Sequence, residues 1–431
     1  MKLDAQAEQL NHKIQSANPA LFEMLSERGK AIFFPKLGIL SQSAEAGGKE
    51  INATIGIALE DDASPMRLPC IEQNFNLPPA NAFTYAPSSG RPDIRKLWKE
   101  MLARKNPSLA GKSFSSPMVT QALTHGLSIC GYLFCDKGDK IIVPDLYWEN
   151  YDLLFGNACG GRLNLFPTFV KNRFNLAGLR KKLLAGKPGK KIVCLNFPNN
   201  PSGYTPTATE ADAIVAICLE AAEAGNRVVV FIDDAYFGLV FEDGVFQESI
   251  FTRLCDLHPN LLAVKLDGPT KEDYVWGFRV GFLTYGIRGG TPELYEALEA
   301  KTSGAIRGNV SNCSNLSQSL LVKAWSSPAY EQEKRQKFET LKARHMKVKS
   351  ILAAHPEYRA HFEPVPCNSG YFMCILLKKA DPEALRKKLL AEYSTGVIVL
   401  SGVVRIAFSA TPMNKLEKLF DNIYCAVKNL G

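Results

Sequence analysis

The stretch Gly268-Pro269-Thr270-Lys271-Glu272-Asp273-Tyr274-Val275-Trp276-Gly277-Phe278-Arg279-Val280-Gly281 decides the reading of this chain. It follows the apolar run Leu261-Leu262-Ala263-Val264, so Lys271 stands just past the end of a predicted buried strand. An amine there can bond an aldehyde, and the Gly-x-Arg-x-Gly that follows offers a guanidinium, Arg279, suited to a phosphate. Lys265 is the rival amine, but it lies inside the strand pattern and lacks the downstream arginine.

Two further apolar runs end in chemistry-bearing turns. Ile192-Val193-Cys194-Leu195 leads into Asn196-Phe197-Pro198-Asn199-Asn200-Pro201-Ser202-Gly203, and Val228-Val229-Val230-Phe231-Ile232 ends in Asp233-Asp234-Ala235-Tyr236. Strand ends of this kind are where open α/β sheets bind ligands. Each string alone reads equally as a turn, but the order Asn-Pro-Ser-Gly, Asp-x-Ala-Tyr, Thr-Lys with Gly-x-Arg-x-Gly resembles the class I/II aminotransferases of pyridoxal-phosphate fold type I. The likeness runs from about residue 51 to residue 409.

Several expectations follow from that resemblance. The fold implied is α/β, a large domain with a mostly parallel seven-stranded sheet between helices plus a smaller α+β domain. The boundaries would be 1–64 and 331–431 for the small domain and 65–330 for the large, cofactor-binding one. The cofactor implied is pyridoxal 5'-phosphate, held as a Schiff base on Lys271. Asp233 would pair with its ring nitrogen, while Tyr236 and Asn200 would bond its phenolate oxygen. Trp148 would stack on the ring, with Tyr147 as the alternative. Leu123, Thr124, Thr270 and Arg279 would hold the phosphate.

The sequence departs from the family pattern twice: Ala122 stands where glycine is common, and Gly268 replaces a hydroxyl residue, leaving Thr270 to compensate. For the substrate, Arg405 matches the α-carboxylate clamp, and Ile51-Asn52-Ala53-Thr54-Ile55-Gly56 resembles the N-terminal strand of aspartate aminotransferases, which would place Gly56 near the same carboxylate. Arg307 and Tyr85 resemble residues of aspartate aminotransferases that cross to the neighbouring subunit, the first to a distal carboxylate and the second to the phosphate. Arg307 is equally readable as an interface salt-bridge residue. The implied activity is amino transfer between an L-amino acid, aspartate or an aromatic one among the candidates, and 2-oxoglutarate, in a homodimer with shared sites. The rivals are a C–S lyase, decarboxylase or synthase on the same scaffold, and a non-enzymatic regulator. Arg307 speaks for the transaminase, and no stretch is left for a regulator's DNA-binding module.

Composition agrees with an enzyme of this kind. The chain has 431 residues, too many for one ordinary core, with 46% hydrophobic and 22% charged residues. Its eleven cysteines show no paired ligand spacing, which favours reduced thiols in the cytoplasm over disulfides or a metal site. No apolar signal segment or spanning run is visible, so neither secretion nor membrane insertion is expected. The formal charge of +8 comes with basic clusters such as Arg180-Lys181-Lys182 that lack interleaved aromatics, which argues for a solvated face and against nucleic acid. Gly111-Lys112-Ser113 mimics the end of a phosphate-binding P-loop, but Asn106 occupies the required upstream glycine position.

Further along, Glu210 to Gly225 reads as a helix, and a helical pattern from Leu316 through Ala353 is interrupted near Ser326-Ser327-Pro328. Ser369 to Ile375 and Val403 to Phe408 read as strands of the smaller domain, with a helix over Pro382 to Tyr393 between them.

Overall fold

The computed structural model describes residues 3–35 and 38–430. Seven strands form the central sheet: β1 (Met118–Thr120), β2 (Lys140–Pro144), β3 (Arg162–Phe166), β4 (Lys190–Asn196), β5 (Arg227–Asp233), β6 (Leu261–Asp267) and β7 (Gly281–Gly286). Their spatial order is β1-β7-β6-β5-β4-β2-β3. Only β7 runs against its neighbours; the other pairings are parallel. The seven-stranded, mostly parallel sheet expected from the sequence is thus present.

Strand periodicity sorts the side chains to two faces. Val229 and Phe231 of β5, with Val264 and Leu266 of β6, join the core beneath the helix Ala122–Phe134. Val228, Val230 and Ile232, with Leu261 and Ala263, join a second core with Ile214, Ile217 and Cys218 of the helix Ala208–Glu223. That helix starts with a reciprocal capping box between Thr207 and Glu210, a device whose Thr bond alone is worth about 1 kcal/mol. The alternation continues past the strand end, turning Asp233 to the first face and Asp234 to the second. In register, Asn196 lies beside Asp233 and Asp233 beside Leu266. The three motifs therefore leave adjacent strands at the same edge of the sheet.

A second, antiparallel sheet comprises β8 (Phe362–Pro364), β9 (Met373–Leu377), β10 (Ile398–Leu400) and β11 (Val403–Ile406) in the order β8-β9-β11-β10. The N-terminal segment forms a separate two-stranded sheet with the C-terminal part: Ile51–Asn52 pairs in parallel with Thr395–Gly396. Gln42 also brackets Val399 with two hydrogen bonds of 2.6 and 2.9 Å.

Several element bounds differ from expectation. The strand near Ile51 stops at Asn52, because the Asn52 side chain accepts from both the backbone and the hydroxyl of Thr54 and curls the chain. Strand β9 begins at Met373, not Ser369, since Ser369 to Phe372 lie against Gly203, where a Cβ would come within 2.0 Å of the Phe372 carbonyl. Strand β11 ends at Ile406, and Phe408–Ala410 forms a 3-10 turn. The long C-terminal helical pattern, by contrast, breaks where expected, into the helices Asn315–Trp325 and Tyr330–Ala354 on either side of Pro328. Among the described residues no helix is long and apolar enough to cross a membrane.

Candidate active site

A cavity of about 330 Å³ opens at the edge where β4, β5 and β6 end. Lys271, Asp233, Tyr236, Asn200, Thr270, Arg279, Leu123, Thr124, Trp148, Gly56 and Arg405 all line it. The candidate residues of one chain are thereby brought together, with two exceptions. Tyr85 is 90% exposed, and Arg307 lies exposed in the last turn of the helix Pro292–Asn309, its guanidinium 2.9 Å from the Ser311 hydroxyl. Neither borders the cavity of its own chain.

Lys271 sits one turn past β6 in the short helix Pro269–Glu272. Its carbonyl accepts a 2.7 Å bond from the Tyr371 hydroxyl, and its ammonium nitrogen lies 5.0 Å from the Tyr236 ring centroid. Burial lowers the amine's pKa to about 8, with Asp233 opposing and the Arg279 charge adding to the shift. A fraction of the amine is therefore neutral, hence nucleophilic, near neutral pH. The residues that follow are anchored: Glu272 pairs with Lys105 and Lys334, while Asp273 accepts from Trp325 and Tyr330 at 2.8 Å each.

Asp233 is buried and accepts from the Tyr151 hydroxyl at 2.6 Å and the Ala235 amide at 3.2 Å. Burial raises its pKa, although Tyr151 and Lys271 pull it back. It lines the cavity, and its Oδ1, held only by the longer bond from the Ala235 amide, keeps acceptor capacity for a cation. Asp234, its neighbour, turns away to Lys265. Lys265 is consequently sequestered behind the sheet and is absent from the cavity, which removes it as the reactive amine.

The backbone at Ala122 and Gly268 accounts for both departures from the family pattern. Ala122 adopts a φ of 59°, the left-handed region that glycine occupies freely, and Arg279 stands at 55°. At Gly268 a Cβ would lie 2.9 Å from the Gly281 Cα and 3.0 Å from the Val280 carbonyl. The turn has no room there for a hydroxyl side chain. Thr270 is the nearby hydroxyl, now 3.4 Å from the Val280 carbonyl.

Two guanidinium groups give the site its electrostatic character. Arg279 is half-buried and bonds the Trp276 carbonyl at 3.2 Å. Arg405 is 2% exposed, bonds the Thr54 carbonyl at 3.2 Å and the Asn200 side chain at 3.4 Å, and lies 4.2 Å from the Phe372 ring centroid. Its Nε has no hydrogen-bond partner among the described residues. Burial lowers the pKa of both arginines. Among the described residues neither forms an ion pair, although a buried cation left unpaired is costly. Anionic groups such as a phosphate and a carboxylate would complement these two cations. The amine, the carboxylate and these cations fit pyridoxal phosphate and an amino-acid substrate.

Sequence reading missed Tyr151, Tyr371, Trp276 and the residues Ile39, Leu40 and Ser43 at the cavity wall. Tyr151 lies in the aromatic string around Trp148 and Tyr371 in the strand pattern before Met373, so both positions carried a signal of location though not of partner. The helix Ile39–Glu45 carried none.

Comparison with known proteins agrees with this geometry. A family model described as aminotransferase class I and II matches residues 59–423. The chain is 28% identical over 264 residues to an aspartate aminotransferase of Geobacillus stearothermophilus, spanning 59% of this chain but only 60% of that one. An aspartate aminotransferase of Bacillus sp. (strain YM-2) is 25% identical over 356 residues, 80% of this chain and 84% of the relative. An aminotransferase from Anaerococcus prevotii has the same fold, with a TM-score of 0.81 at 22% identity over 94% of this chain and 99% of its own. With the matched region running across both sheets and all of the cavity wall except Ile39, Leu40, Ser43, Thr54 and Gly56, the chain belongs to the class I and II aminotransferase family, a family of fold-type I proteins that use pyridoxal phosphate.

Proposed function

We propose that this protein is an aminotransferase moving an amino group between an L-amino acid and 2-oxoglutarate, with Lys271 as the covalent attachment point of pyridoxal phosphate. The observation that carries the reading is one cavity lined by an amine, a buried carboxylate and two guanidinium groups that have no ion-pair partner among the described residues. When bound, the cofactor supplies an aldehyde for the amine and a conjugated ring that accepts the electron pair left at Cα.

The remaining work belongs to the chain. Arg405 binds the substrate α-carboxylate in a planar, bidentate manner beside Gly56, which orients the Cα–H bond. Lys271 Nζ would anchor the cofactor's aldehyde carbon and, once freed by the substrate amine, would accept the Cα proton. Asp233 would hold a proton at the ring nitrogen, with Tyr151 holding Asp233. Tyr236 and Asn200 would bond the phenolate oxygen, and Trp148 would stack on the ring. Arg279, Thr124, Thr270 and the amides of Leu123 and Thr124 would bind the phosphate. We assign residues 1–64 and 331–431 to one small domain and 65–330 to the large one, a division supported by the pairing of Ile51–Asn52 with Thr395–Gly396.

A panel of amino donors with 2-oxoglutarate, read as glutamate formed, tests the reading. Formation with at least one donor is expected; sulfide, carbon dioxide or a condensed product in its place would transfer the assignment to a lyase, decarboxylase or synthase. Asp233→Asn should cost more than tenfold in turnover, since a charge-assisted bond worth roughly 1.5–3 kcal/mol is lost, whereas Asp234→Asn should cost far less. Equal losses would place the ring nitrogen elsewhere.

Tyr85 and Arg307, exposed on their own chain, are assigned to the neighbouring subunit's cavity in a two-fold dimer. Arg307 there meets the distal carboxylate of glutamate, aspartate or 2-oxoglutarate. Mixing Lys271→Ala protein with a Tyr85→Ala/Arg307→Leu double variant should restore about a quarter of the sites, because random pairing gives half heterodimers with one intact site each. A fully active monomer in sedimentation would exclude this arrangement.

A further inference from the structure

Lys265, Asp234 and Asp267 form a fully buried ion triad that the reaction does not use. Their side chains are 0%, 3% and 1% exposed. Lys265 Nζ pairs with Asp234 Oδ2 and stands 3.2 Å from Asp267 Oδ2. The Ser249 hydroxyl donates to Asp234 at 2.5 Å, and the Trp98 indole N–H donates to Asp267 Oδ1 at 3.1 Å. The Phe237 ring lies 4.8 Å from the ammonium. The three ionic side chains lie on the face of β5 and β6 to which Asp234 turns, and none of them lines the cavity.

Stability does not account for the triad. Desolvating three charges costs several kcal/mol per ion, and apolar replacements of such clusters are often as stable or more so. What it supplies is direction. Asp234 follows Asp233 directly, and Asp267 directly precedes Gly268, where the turn to Lys271 begins. Between them Asp234 N donates to the Leu266 carbonyl at 2.9 Å, so the ions lock a pair of strand ends already joined by the backbone. Trp98, which holds Asp267, stacks on Phe282 of β7 at 4.4 Å, extending the constraint to the strand that follows Arg279 and Gly281.

We infer that Lys265, Asp234 and Asp267 are positioning residues, an ionic clamp behind the sheet that sets the spacing of Asp233 and Lys271 on its front. The inference rests on the reading of Lys271 and Asp233 given above. The clamp carries one more negative than positive charge, so its removal both loosens Asp233 and withdraws negative charge from the neighbourhood. Each effect lowers the proton affinity of the cationic groups in the cavity.

The test replaces the triad without charge, Lys265→Met/Asp234→Asn/Asp267→Asn, and compares the pyridoxal-phosphate-loaded proteins. The melting temperature should be unchanged or higher, while kcat falls about tenfold with KM within about threefold. The pH midpoint of the bound cofactor's absorbance should move down by about half a unit or more. Wild-type kcat and midpoint in the variant would overturn the inference, whatever the melting temperature. If the triple variant does not fold, Asp234→Asn, which leaves Lys265 its Asp267 partner, decides by the same absorbance. A lowered midpoint upholds the clamp, and an unmoved one overturns it. Wild-type protein that develops no absorbance band with pyridoxal phosphate would instead refute the cofactor reading itself.

Discussion

Lys271→Ala is expected to lower turnover by about 10⁴-fold or more, the upper range for losing one general acid–base group, with the added loss of the covalent anchor. The cofactor should still bind, because Arg279, Asp233 and the helix Ala122–Phe134 remain. Absorbance of the purified variant would therefore report free aldehyde chemistry, and borohydride would leave no modified peptide. In the parent protein the same treatment should mark Lys271. Activity within tenfold of wild type, or a mark on Lys265, would remove Lys271 from its assigned role. The latter is at odds with the buried ion pairs of Lys265 on the far face.

Arg405→Leu should lower kcat/KM for every amino donor, acidic or neutral, since the α-carboxylate is common to all. Losing a buried, hydrogen-bonded charge partner costs roughly 2–5 kcal/mol, on the order of 30- to 4000-fold. The cofactor-free variant should be as stable as wild type or more so, because the substitution deletes a buried cation with no anionic partner. Thermal melting alongside kinetics on several donors checks both halves. A variant destabilised by several degrees with intact kcat/KM would make Arg405 a structural residue.

What the sequence made legible were groups fixed by local pattern. Lys271, Asp233, Asn200 and Tyr236 follow apolar runs whose ends the parallel sheet brings to one edge, so finding the strands located the chemistry. That the sheet has seven strands was implied by the family resemblance; the apolar runs themselves marked three of them, β4, β5 and β6. Partners supplied from far along the chain were not: Tyr151 reaches Asp233, and Tyr371 reaches the Lys271 carbonyl, across separations that no periodicity encodes. Strand ends were misjudged where a turn's own chemistry cut the pattern short, as Asn52 does through Thr54. Ala122 and Gly268 looked like defects in the phosphate shell. The backbone shows an alanine in the left-handed region and a glycine that close approach demands. The triad was half visible, since Lys265 stood out as an amine inside a strand, but its two carboxylates only meet it once β5 and β6 are paired.

Amino transfer divides into two half-reactions, and the first isolates the central claim. Protein loaded with pyridoxal phosphate and given glutamate alone, without a 2-oxo acid, should release one 2-oxoglutarate per chain and then stop, leaving the nitrogen on the protein-bound cofactor. Adding an acceptor 2-oxo acid should restart release. Continuous product formation from glutamate alone, or product formed with carbon dioxide and no retained nitrogen, would contradict an aminotransferase built around Lys271.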